Sequence, residues 1–360
     1  MKQRNCTIDC LKFFCAWFVA LYHFYGAKNH FIGGYIAVEF FLLAASVFFY
    51  AKYDREKRMN GGEYERSFII KRFWRFFPWA FSAFLFTAVV VRGITVKVTS
   101  LGELLDFAVY DLGEILLLKM NGVAMINASL LNGAGWTLSS MLLVEFVLWY
   151  CLHRLNRPFT EIIAPLSIII GLGIWAHAED TQVKNWMSFT TFGTLRTWIA
   201  YCEGYYCYRL SQRLGEIRFN RNGRIVLTGI ECVCYIFAAW AMMKRANKYY
   251  QWCVTLLFAI AIAISISGHS VINRFLSGHR WRIRTSVFLG EISFSIYLMH
   301  ETVLKLFIYY VQEPAIRYGY VLHFVLISIC CAILQWCFVP RCIQMARRIR
   351  EKGKCLLINT

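Results

Sequence analysis

The chain has 360 residues, of which 58% are hydrophobic and only 17% charged, and its formal net charge is +18. A soluble globular protein carries about 25% charged residues, and a disordered chain lacks this apolar content, so both classes are excluded. A mean hydropathy of +0.48, with repeated apolar runs near bilayer-crossing length, predicts an all-α integral membrane protein.

Ten transmembrane spans are expected, at 10–27, 33–51, 77–96, 136–153, 160–178, 187–208, 225–243, 249–267, 286–310 and 320–340. Trp and Tyr sit at many of their ends, as an aromatic belt would place them. Alternating sides from a cytoplasmic N-terminus puts 28 Lys and Arg residues on inner segments and nine on outer ones. That asymmetry predicts both termini in the cytoplasm and accounts for the basic charge without nucleic acid. Residues 101–118 carry Glu103, Asp106, Asp111 and Glu114. They read as an outer interfacial or re-entrant element rather than a span. One membrane domain is expected over 1–345, followed by a basic cytoplasmic tail over 346–360. No cleavable signal pattern and no internal repeat are visible.

Ionisable groups inside a bilayer are costly, so each one needs an account. In the first span Asp9, Lys12 and His23 share one helix face, with Lys12 at the inner mouth and His23 about 16 Å higher. The second span carries Glu39 in its outer half, where a carboxylate suits the orientation of a histidine base. The third opens with Arg72 and Arg75, three residues apart, two guanidinium forks suited to phosphate. The fourth opens with Trp136, Ser139 and Ser140 and buries Glu145, read as a protonated structural acid. The ninth places Ser293, Tyr297 and His300 on one face. Each group also has a structural alternative: a satisfied bundle histidine, a snorkelling lysine, a protonated glutamic acid, or arginines that anchor the inner interface. The 14 cysteines map to spans or inner ends, which argues against a disulfide framework, and no spacing resembles a zinc site. Taken together, a cationic inner mouth and an outer-half pocket with two histidines suit a phosphorylated donor arriving from the cytoplasm.

With these residues in view, the chain resembles the membrane acyltransferase-3 family, multispan enzymes that move acyl groups from acyl-CoA to sugars of extracytoplasmic glycans. Lys12 and His23 match the family's basic residue, ten positions, then histidine. Arg72 and Arg75 match its Arg-x-x-Arg element, and VEFFLLAAS resembles its second-span pattern. GWTLSS resembles its W-x-L-S element, and GEISFSIYLMH its C-terminal G-x-x-S-Y-x-x-Y-L-x-H element. The order is that of the family, from residue 4 to about 305. Three departures stand out: Lys12 replaces the commoner arginine, Ala45-Ser46 replaces Ser-Gly, and Met141 stands where many members have Glu.

The resemblance implies O-acyl transfer, most often O-acetylation, with acetyl-CoA as donor and no metal. His23 would be general base or transient acyl carrier, oriented by Glu39. Arg72, Arg75 and Lys12 would hold the CoA phosphates. Tyr297, His300, Ser293 and Trp136 would bind substrate or stabilise the oxyanion. The acceptor would be a glycan or lipid-linked saccharide, reached from a bacterial inner membrane. The rival reading is a transporter or flippase for a glycan or its lipid-linked precursor, which would move substrate without consuming acyl-CoA.

Overall fold

A computed structural model describes residues 4–26, 31–59, 67–96, 100–118, 131–177, 185–186, 190–244 and 248–358. They fold as helices α1 (Cys6–Tyr25), α2 (Ala37–Met59), α3 (Ser67–Ala88), α4 (Leu101–Ile115), α5 (Trp136–Arg154), α6 (Asn156–Pro158) and α7 (Ala164–His177). There follow α8 (Phe192–Glu216), α9 (Arg221–Met243), α10 (Lys248–Ile266), α11 (Val271–Ser277), α12 (Arg280–Tyr310), α13 (Pro314–Tyr318) and α14 (Val321–Ile358). Short polar side chains start several of them by accepting backbone N–H groups that have no partner within the helix. Asn5 accepts Ile8 N–H at 3.1 Å, Thr191 accepts Thr194 N–H at 3.2 Å, and Asn220 accepts Gly223 N–H at 2.8 Å. A two-residue antiparallel ladder, Asn185–Trp186 with Thr190–Thr191, leads into α8.

Among the described residues, eight helices are long and apolar enough to cross a membrane, or nine if the bent pair formed by α10 and α11 is one span. The sequence predicts about ten, and the structure has a long helix at each of the ten positions. The difference lies in α8, which has the length but also carries Arg196, Glu203, Arg209 and Arg213. Its polarity is tolerated because protein, not lipid, surrounds much of it. It packs against α2, α5, α7 and α10 through a face of small and hydroxyl residues, Gly193, Thr197, Ala200, Gly204 and Ser211 among them. A Cβ at Gly204 would meet the hydroxyl of Ser46 on α2 at 1.6 Å, so glycine is what lets these two helices approach.

Other boundaries shift for physical reasons. The third span starts at Ile70 rather than 77, because Arg72 is neutralised inside the bundle. The fifth begins in π geometry at Phe159–Ile163. The eighth breaks between Ile266 and Val271 with a 53° bend. The α4 helix, at 15 residues, rises about 22 Å, short of the roughly 30 Å hydrocarbon core. It is tied to the end of the third span by an ion pair between Asp111 and Arg92.

The closest helix pair runs α1 along α12. Phe24 on α1 stacks on Phe324 of α14 at 4.5 Å, whereas Trp336 of α14 donates to Glu291, which Arg4 also reaches. Thus α14 runs antiparallel to α1 and returns to the face where α1 begins, here called the N-terminal face. The segment entering α2 is equally tight. A Cβ on Gly34 would lie 2.3 Å from the Phe18 carbonyl and 2.7 Å from Tyr22 Cβ. Gly34→Ala should therefore lower stability by about 1–3 kcal/mol through overpacking against backbone, read as a lower thermal midpoint of the purified protein. An unchanged midpoint would contradict this packing.

Candidate active site

Charged and aromatic side chains stack in layers along the bundle axis. At the N-terminal face, Asp9 receives Arg4 at 2.5 Å and Lys12 at 3.4 Å, and Arg4 also reaches Glu291 at 2.9 Å. Gly290 makes room for Asp9, since a Cβ there would lie 2.7 Å from the Asp9 Cβ. Arg4 and Arg75 both lie within electrostatic reach of Lys12. Arg75 is exposed and has no ion-pair partner among the described residues.

Deeper in, Arg72 of α3 holds Glu145 of α5 with two parallel bonds of 2.6 Å, and the Tyr201 hydroxyl of α8 donates to the same carboxylate at 2.5 Å. This bidentate geometry is the strong form of a guanidinium–carboxylate contact. Glu145 is therefore an ion-pair partner rather than a protonated structural acid. Arg72, expected to hold a phosphate, is already committed.

Further along α8, Arg196 is 2% exposed and gives Nε and Nη2 to Glu39 at 2.8 and 2.7 Å. Its guanidinium lies 5.3 Å from the Trp175 ring, 5.5 Å from Trp136 and 6.0 Å from Tyr35, a three-ring cage. Glu39 was expected to orient His23. Its described contacts go to Arg196 instead, because a buried guanidinium competes better for a carboxylate than a neutral imidazole.

The two histidines do meet. His23 and His300 have ring centroids 5.3 Å apart at an interplanar angle of 31°. His300 is 1% exposed, whereas His23 keeps part of its surface open. Tyr297 stands 6.0 Å from His300 and 5.5 Å from Phe41, and its hydroxyl meets Thr137. Ser293, on the same face, is fully buried and donates to the Gly290 carbonyl of its own helix at 2.8 Å. The structure thus brings together His23, Tyr297 and His300. Trp136 stands beside Arg196, and Lys12, Arg72 and Arg75 lie toward the N-terminal face.

Sequence reasoning passed over three contributors to these layers. Arg196, inside the sixth expected span, was counted with neither side of the membrane, and Tyr201 carried no signal. Glu301, next to His300, accepts the Ala134 N–H at 2.8 Å and pins the entry to α5. Glu114 accepts Leu131 and Asn132 N–H at 2.8 and 2.7 Å on the other side of that entry. Beside the Glu114 tie lies a small cleft of about 20 Å³, room for about one water, lined by Ala83, Phe84, Glu114, Asn132, Trp136 and Ser139. No group of three or more metal-ligating side chains occurs among the described residues.

A family model described as an acyltransferase domain matches residues 7–339, nearly the whole chain. Neither the curated proteins nor the solved structures give a match.

The buried pair supplies a direct test of this architecture. Arg72→Ala leaves the Glu145 carboxylate without its cation and should cost about 3–5 kcal/mol, whereas Arg72→Met combined with Glu145→Met should recover most of that loss. Thermal unfolding of the three proteins decides it. A single variant as stable as wild type would overturn the pair as a structural tie.

Proposed function

The chain belongs to the membrane acyltransferase-3 family, and on that footing we propose that it transfers an acyl group, acetyl in the first instance, from cytoplasmic acyl-CoA to a hydroxyl of an extracytoplasmic or lipid-linked glycan. As a multi-pass acyltransferase it needs a route from a donor on one side to an acceptor on the other. The observation that carries the proposal is the His23–His300 pair, held inside the bundle away from a cationic N-terminal face.

In this reading the N-terminal face is the cytoplasmic one, and the membrane is a bacterial inner membrane. The donor's phosphates meet Arg75, which has no ion-pair partner among the described residues, and Lys12, which shares Asp9 with Arg4. Arg72 contributes to the positive field but stays on Glu145. From Lys12 to His23 the helix rises about 16 Å, a span for an extended pantetheine arm. At its end the thioester reaches the histidines, where one imidazole takes the proton of the acceptor hydroxyl. Tyr297, whose ring lies 6.0 Å from that of His300, turns its hydroxyl from Thr137 to the developing oxyanion in this reading. Trp136, buried against Arg196 at the edge of the small cleft, shapes the approach of the acceptor.

Purified protein in nanodiscs with labelled acetyl-CoA and glycan extract tests the reading. His23→Ala should abolish CoA release while the protein remains folded. Arg75→Ala should raise KM for acetyl-CoA about tenfold with kcat little changed, as loss of one charge-assisted contact would. Equal CoA release by wild type and His23→Ala would sink the mechanism. Movement of glycan without acyl-CoA consumption would sink the proposal itself.

A further inference from the structure

The two histidines are not equivalent, and their difference fixes which one is the base. His300 Nδ1 lies 2.7 Å from the Tyr297 carbonyl oxygen and 3.3 Å from that of Ile296. Both neighbours are acceptors only, so Nδ1 must carry the proton and donate it. The neutral ring then has its lone pair on Nε2. That nitrogen is buried and has no hydrogen-bond partner among the described residues. A buried acceptor left unsatisfied is costly, and native structures keep one where something else is to fill it. The ring beside it is His23, 5.3 Å away and partly open, which no described contact locks into one tautomer.

We infer that His300, through Nε2, is the proton acceptor for the hydroxyl that attacks the thioester, and that His23 faces the acyl donor. The inference rests on the acyl-transfer reading above. As the acceptor oxygen forms its bond to the thioester carbonyl carbon, its O–H bond breaks and the proton passes to His300 Nε2. The resulting tetrahedral species expels the CoA thiolate by breaking the C–S bond, and the thiolate takes the same proton from Nε2. The backbone carbonyls hold Nδ1–H and fix the ring's tautomer and orientation, which is the positioning part of what a carboxylate does in a triad.

The experiment separates a base from a structural side chain. In His300→Asn the amide N–H takes the place of Nδ1–H and keeps the tie to the Tyr297 carbonyl, but no basic nitrogen remains. With the glycan acceptor, kcat should fall about 10²–10⁴-fold with acyl-CoA affinity unchanged. With hydroxylamine, which attacks a thioester without a base, the same variant should release CoA within about threefold of the wild-type rate. A kcat near wild type with glycan, or an equal loss with both acceptors, would overturn the assignment. If wild type itself releases no CoA with either acceptor, the failure belongs to the acyl-transfer reading beneath it. His300→Gln, which mimics Nε2 rather than Nδ1, serves if the Asn protein does not fold, and it carries the same two-acceptor expectation.

Discussion

The bundle is organised around an ion pair that has no access to water. Arg196 and Glu39 are 2% and 1% exposed, and each would be prohibitive in a bilayer alone. Together they fix α2 and α8 in one parallel register, with Glu39 level with Arg196 and Ser46 level with Gly204. A hydrophobic contact tolerates sliding, but one carboxylate oxygen held by two guanidinium nitrogens in low dielectric does not. The cage of Tyr35, Trp136 and Trp175 extends the constraint to the entries of α2 and α5 and to α7. From there Tyr35 meets Tyr22 at 5.3 Å, and Tyr22 meets His23 at 5.0 Å. The position of His23 on α1 therefore traces back, ring by ring, to a charge pair on two other helices.

The same logic repeats at other levels of the bundle, with different partners. Asp9 gathers Arg4 and Lys12, Glu145 gathers Arg72 and Tyr201, and Glu301 and Glu114 gather backbone N–H groups. Satisfying charge internally lets helices as polar as α8 sit among lipid-facing neighbours. It leaves Arg75 as a cation with no internal claim on it and His300 Nε2 as a lone pair with none.

Much of this was legible in the sequence, because bilayer crossing imposes a length and a hydropathy that each helix must meet. All ten long helices were located that way, as were the faces bearing His23 and His300. Partners were not legible. Arg196 lies 157 residues from Glu39, and Arg72 lies 73 from Glu145. Periodicity gives the face of a helix but not which helix it meets. That is why Glu39 was assigned to His23, its neighbour in the argument, and not to a guanidinium on α8. The same limit hid Tyr201, an ordinary tyrosine in sequence that becomes the third member of a buried triad. The apolar test passes over α8 because it measures affinity for lipid, whereas α8 is solvated largely by protein.

The Arg72–Glu145–Tyr201 triad sits at the middle of α5, nine residues from either end, and joins three helices across the bundle. On the acyl-transfer reading proposed above, with donor and acceptor on opposite sides, the catalyst is in outline a pore. A membrane that stores energy as an ion gradient cannot host an open one, since each charge that slips through dissipates about 2.3 kcal/mol per 100 mV. A pair of opposite charges bonded at two points and capped by a phenol closes α3, α5 and α8 against one another at mid-depth, where parting them would strand a charge in the bilayer. On that reading the triad serves as insulation, letting chemistry cross the bilayer while current does not.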